Sequence, residues 1–162
     1  MRDDDSEQES FITALARGDE LGAVIRAQIY IEHELIGFIR SRLAAPDSLT
    51  DADLSYARLV RLALALGLSS EFAKPLQAFA RIRNHFAHRL DTELTEARVR
   101  QFCQSFSAAM RRDADLAIEN IVFPELRGST KENLTSRGLF QMYSYYLWFQ
   151  LCDEIKHHPG TK

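Results

Sequence analysis

The ten residues RIRNHFAHRL, Arg81 to Leu90, gather three arginines, two histidines and an asparagine, with Ile82, Phe86, Ala87 and Leu90 threaded between them. Asn84 and His88 are four apart, so on a helix they share an edge, and Arg83 lies one position around with a side chain long enough to reach the same cleft. Imidazole, guanidinium and carboxamide grouped in this way can bind a phosphate and move its protons. On RNA the reaction would be attack of a 2′-hydroxyl on the adjacent phosphorus. His88 would transfer a proton, Arg83 would stabilise the charge developing on phosphorus, and Asn84 would orient either group. No metal is required. Arg81 and Arg89 flank the group as phosphate contacts, and His85 is a supporting residue. Two plainer readings stand beside this one. His88 and Arg89 near a helix C-terminus are favoured by the macrodipole whatever their chemistry. A metal set of His85, His88 and Asp91 has no separate cluster of ligands to complete it.

The motif sits on an apolar stripe. Phe72, Leu76, Phe79, Arg83, Phe86 and Leu90 follow one another in steps of four and three, which places Arg83 in a core-facing slot. An earlier helix has the same pattern, Ile25, Ile29, Glu32, Ile36, Ile39, with Glu32 as the intruder. A lone charge in either slot would cost several kcal/mol, so each needs a partner or an opening to water. The expected pairing is Glu32 with Arg83, the carboxylate holding the guanidinium in one orientation. The alternative is that both helices are slightly rotated and each side chain snorkels at the stripe's edge.

Around the motif the periodicity predicts an all-α protein, a compact bundle of about five helices. The first runs from Glu20 to Leu43, with apolar residues at Leu21, Ile25, Ile29, Ile36, Ile39 and Leu43 and a stripe widened by Val24, Ile31, Leu35 and Phe38. Pro46 breaks it. Thr50 with Asp53 resembles a capping box for a second helix to about Leu66, stopped by Gly67. The third begins after Ser69 or Ser70, tolerates Pro75 near its start, and ends in the motif. Thr95 caps a fourth, carried by Val99, Phe102, Cys103, Phe106 and Met110 to about Asp115. An aromatic helix over about 130–157 is expected to finish the core in preference to forming a partner surface. Residues 1–18 read as an acidic, flexible arm and 19–158 as one helical domain, with its centre over 20–116.

With 162 residues, 46% apolar and 27% charged, the chain is long enough to bury one core without metal or disulfide help. Cys103 and Cys152 belong to no CxxC or zinc-spaced cluster, and no cofactor is implied. The acidic start lacks the features of a signal peptide, and no apolar run approaches the roughly 20 residues of a membrane span, so a reducing, cytoplasmic setting is expected. The net charge of −3 conceals an uneven distribution: residues 21–112 carry thirteen Arg and Lys against nine Asp and Glu. Sixteen of the twenty basic residues are arginine, the better fork for phosphate. Overall acidity argues against indiscriminate nucleic-acid binding, so any such binding should be local.

Arg83, Asn84, three residues and His88 resemble the R-N-x-x-x-H signature of the HEPN superfamily. The order of Glu32, LSYARLVRLALALGL, FARIRNHFAH and LDTELTEARVRQFC is similar to the mannitol operon repressor family, itself HEPN-like. The resemblance covers roughly residues 20–110. It implies a dimeric helical bundle with Arg83 and His88 catalytic and Asn84 supporting, acting as a metal-independent endoribonuclease. The nearer family implies a regulator of sugar-alcohol uptake, hence the alternative of a non-enzymatic transcriptional regulator that works by binding protein or nucleic acid. No helix-turn-helix pattern supports direct operator binding. The superfamily also suggests a toxin neutralised by a partner antitoxin.

Overall fold

The computed structural model describes residues 4–49, 54–87, 93–119, 123 and 126–157, and over these the protein is all-helical. Seven α-helices follow in order: α1 (Asp4–Ala16), α2 (Glu20–Arg40), α3 (Tyr56–Ala65), α4 (Ala73–Ala87), α5 (Glu96–Gln104), α6 (Ala108–Glu119) and α7 (Ser136–His157). Helices α2 and α7 pack against each other at the centre. α1 lies against both, α3 and α4 pack on α2, α5 and α6 pack on α7, and α4 also touches α5. One hydrophobic cluster draws residues from all seven helices.

The two helices beyond the expected five have separate causes. The expected fourth helix is divided in two. The Ser105 hydroxyl donates to the Phe102 carbonyl and ends α5, and the Ser107 hydroxyl accepts from the Met110 amide to open α6. The expected flexible arm is instead helical over residues 4–16, with Phe11 and Leu15 fully buried. Three side chains satisfy the carbonyls at its C-terminal end. Arg26 donates to Ala14 and Arg17, Arg137 to Ala16, and Gln141 to Leu15. These bonds occupy the orphan acceptors of a helix end and fix α1 to α2 and α7. Gly22 makes room for the clasp, because a Cβ there would lie 2.6 Å from an Arg26 nitrogen.

Other boundaries follow local chemistry. Asp19 caps α2 by accepting from the Gly22 amide at 2.8 Å. Gly67, at φ +100°, ends α3; its amide and that of Leu68 return to Leu64 and Ala63, a Schellman arrangement. α3 starts later than expected, at Tyr56 after Ser55; Thr50 and Asp53 lie outside the described residues. Ser69 accepts from the Glu71 amide before a 3-10 turn over Ser70–Phe72, and Pro75 sits in the first turn of α4, where its missing amide hydrogen costs nothing.

The aromatic helix finishes the core. Every residue from Phe140 to Trp148 in α7 is buried, so the helix is enclosed on all sides. Phe106 meets Tyr143 edge-on at 5.2 Å, and Phe11 stacks on Trp148 at 4.7 Å. Among the described residues no helix is long and apolar enough to cross a membrane.

Candidate functional site

Helix α4 positions the motif. It buries Leu76, Phe79, Ile82 and Phe86, which fixes its rotation, leaving Arg83 half-buried at one edge of the stripe and Asn84 on the exposed crest. His85 is half-buried at the opposite edge and Arg81 is exposed. His88, Arg89 and Asp91 lie outside the described residues.

The expected Glu32–Arg83 ion pair is replaced by a relay through a residue that the sequence reading overlooked. Arg83 Nε donates to Gln28 Oε1 at 2.7 Å, and Gln28 Nε2 donates to Glu32 Oε1 at 2.7 Å. Arg83 Nη1 also donates to Asn84 Oδ1 at 3.2 Å. The reason is the rotation of α2, whose core face is Val24, Ala27, Gln28, Ile31, Leu35, Phe38 and Ile39. Ile29 is exposed, Ile25 and Ile36 are half-buried, and Glu32 stands among them at the edge. Gln28, only 7% exposed, is therefore the polar residue that the core must satisfy, and it does so between a donor and a carboxylate.

This relay has an electrostatic consequence. The guanidinium is oriented by two neutral carboxamides, and Glu32 is held one residue away, so Arg83 keeps its charge for an incoming anion. Three of its five N–H donors have no acceptor among the described residues. They border a cavity of about 150 Å³ lined by Gln28, Ser55, Tyr56, Phe79, Arg83 and Asn84. The Tyr56 hydroxyl donates to the Leu76 carbonyl at 3.3 Å; burial, then the Glu32 charge, holds its pKa well above the usual phenol value. Tyr56 is thus a neutral wall of the cavity.

On the other flank of α4 a second cleft, of about 130 Å³, brings Arg81 and His85 together with Arg98 and Gln101 of α5. The segment leading into α5 is tied back to α2, where Glu20 accepts from the Leu94 amide at 2.7 Å. A wider groove of about 620 Å³ runs along α1, but its Arg26 is spent on the α1 carbonyls.

The remaining candidates are placed as structural groups. Cys103 is half-buried, and burial pushes its thiol up to about 12, far from a reactive thiolate. No three His, Cys, Asp or Glu side chains converge on a common point among the described residues. Comparison with family models, curated proteins and solved structures finds no match for this chain.

Proposed function

We propose that this chain is a regulatory protein of the HEPN and mannitol operon repressor type, which acts on RNA as a metal-independent endoribonuclease and works as a homodimer. The observation that carries the reading is the Arg83 guanidinium, held by the Gln28 and Asn84 carboxamides and neutralised by no carboxylate among the described residues. An arginine fixed in this way is preorganised for a phosphate whose charge increases in the transition state. In the reaction the 2′-oxygen bonds to phosphorus as its proton passes to a base. The bond from phosphorus to the 5′-oxygen breaks, and that oxygen takes up a proton, leaving a cyclic phosphate and a 5′-hydroxyl. His88 is the proton-transfer group of each chain.

In-line displacement uses a base and an acid, whereas each chain offers one strong candidate, so two copies brought together supply both. An apolar surface for this lies on α2; the other exposed large apolar side chains among the described residues, Leu116 of α6 and Phe149 of α7, stand singly. Leu21 and Ile29 are 46% and 58% exposed, with Ile25 and Ile36 half-buried beside them.

The test incubates purified wild type and His88→Ala with end-labelled RNA in EDTA, after both are shown to melt alike and to sediment as dimers. Cleavage by the wild type alone, leaving cyclic phosphate ends, is the expected result. No cleavage across varied RNAs would leave the same arginine site as that of a regulator that binds without cutting.

A further inference from the structure

We infer that the cleft between α4 and α5 is a second phosphate subsite, formed by Arg81 and Arg98 with His85 and Gln101, for an RNA strand whose reacting phosphate sits at Arg83. This rests on the RNA reading above.

Two guanidinium groups border one cleft of about 130 Å³ whose floor is apolar, Ile82 and Phe102. Like charges beside a surface of low polarisability repel, and an anion between them relieves the repulsion. Among the described residues no carboxylate does this already. Arg81 makes no ion pair or hydrogen bond among the described residues. Arg98 donates to the backbone carbonyl of Glu93 at 3.2 Å, which orients its fork without cancelling its charge. The acid two positions before it, Glu96, is about half a turn around the helix and pairs with Arg100 instead. Among the described residues no carboxylate lines the cleft, and Gln101 adds a neutral amide. Two planar forks and an amide suit the several oxygens of a phosphodiester.

The placement on α4 gives the subsite a role. At 3.6 residues per turn, Arg81 and His85 lie about half a turn from Arg83, so the two anion sites face opposite flanks of one helix. A strand engaging both crosses the exposed crest at Asn84. A helix with its side chains is about 10–12 Å across, a distance that a few nucleotides of an extended single strand span. The subsite would therefore hold a phosphate a few nucleotides from the one that reacts and set the register of the strand.

The test is made in the His88→Ala protein, so that RNA is bound without turnover, with a labelled single-stranded octanucleotide titrated at several salt concentrations. Arg81→Gln/Arg98→Gln should weaken binding about tenfold and lower the slope of log affinity against log salt by at least about 0.7, the loss of one phosphate contact. Arg98→Lys should keep the slope while losing affinity, because charge survives and the fork does not. Should Arg98→Gln fail to fold, Arg81→Gln alone carries the test, since Arg81 is exposed. Unchanged affinity and slope in the double variant would overturn the subsite and leave the RNA reading standing. If no form binds RNA, that reading fails by itself; pyrophosphate titrated into isotope-labelled protein then decides, with shifts at Arg98 that vanish in Arg81→Gln supporting the anion site and no shifts sinking it.

Discussion

At the scale of single residues, the protein turns on Gln28. Because its amide is neutral, it can orient Arg83 without quenching it, and Glu32 fixes which way the amide points. Replacing Gln28 by Glu would put a carboxylate on the guanidinium and a second negative charge one turn from Glu32. The expected outcome is a loss of RNA affinity of tenfold or more, measured by titration in the His88→Ala protein, with Arg83 still in place. The same relay predicts that Glu32→Gln and Arg83→Lys couple by about 0.5–1 kcal/mol in denaturation cycles, and that the coupling disappears in a Gln28→Ala background. Coupling that survives there would mean a direct pairing. Residue type and spacing single out Arg83, Asn84 and Glu32 in the sequence, but the direct Glu32–Arg83 pairing they suggest is not formed, because Gln28 stands between the two. Gln28 was not legible because α2 carries two apolar rows, and periodicity alone does not say which one faces inward. The signal was present in the row Val24, Gln28, Ile31, Leu35, where a lone amide interrupts aliphatic side chains.

Among the elements, α1 departs furthest from expectation. Its start is acidic and its apolar residues few, so composition favoured an arm. The information that makes it part of the fold resides elsewhere, in Arg26, Arg137 and Gln141, which reach its last carbonyls from α2 and α7. Such long-range capping leaves no local trace. Phe11→Ala should therefore cost about 3–5 kcal/mol, the loss expected for a large side chain deleted from a packed core. Urea denaturation would show this as a lower midpoint, whereas an unchanged midpoint would mean that α1 contributes little. By contrast, the expected helix over Glu20–Leu43 is found as α2 over Glu20–Arg40, since its apolar periodicity is local; the expected end of the third helix lies outside the described residues. The expected fourth helix failed only at Ser105 and Ser107, where two hydroxyls compete with the backbone for its own hydrogen bonds.

For the molecule as a whole, the all-α class followed from composition and periodicity, and the enclosure of α7 explains much of its behaviour. Burial raises the pKa of Tyr143, Tyr145 and Tyr146, as it does for Tyr56, with Tyr146 pushed up to about 12 from the ordinary 10.0. A phenol with a raised folded pKa stays protonated after its unfolded counterpart has lost its proton. Its contribution to stability is thus complete below about pH 10 and is lost as pH rises from there toward the folded value. Urea midpoints should fall as pH rises from about 10 toward about 12, and Tyr146→Phe should fall less over the same interval. Equal falls in both proteins would assign the alkaline loss to other groups.

The last of the seven helices is also the one that the others surround, and this fixes the order in which the protein can become itself on the ribosome. Gln141 bonds to Leu15 across 126 positions and Tyr145 to Gln8 across 137. Until α7 is released from the exit tunnel, the six helices before it encircle a centre that has not yet been synthesised. Vectorial synthesis therefore cannot secure the bundle piece by piece: α1 meets α2 early, but its bonds to α7 form only after the five helices between α1 and α7 have been made.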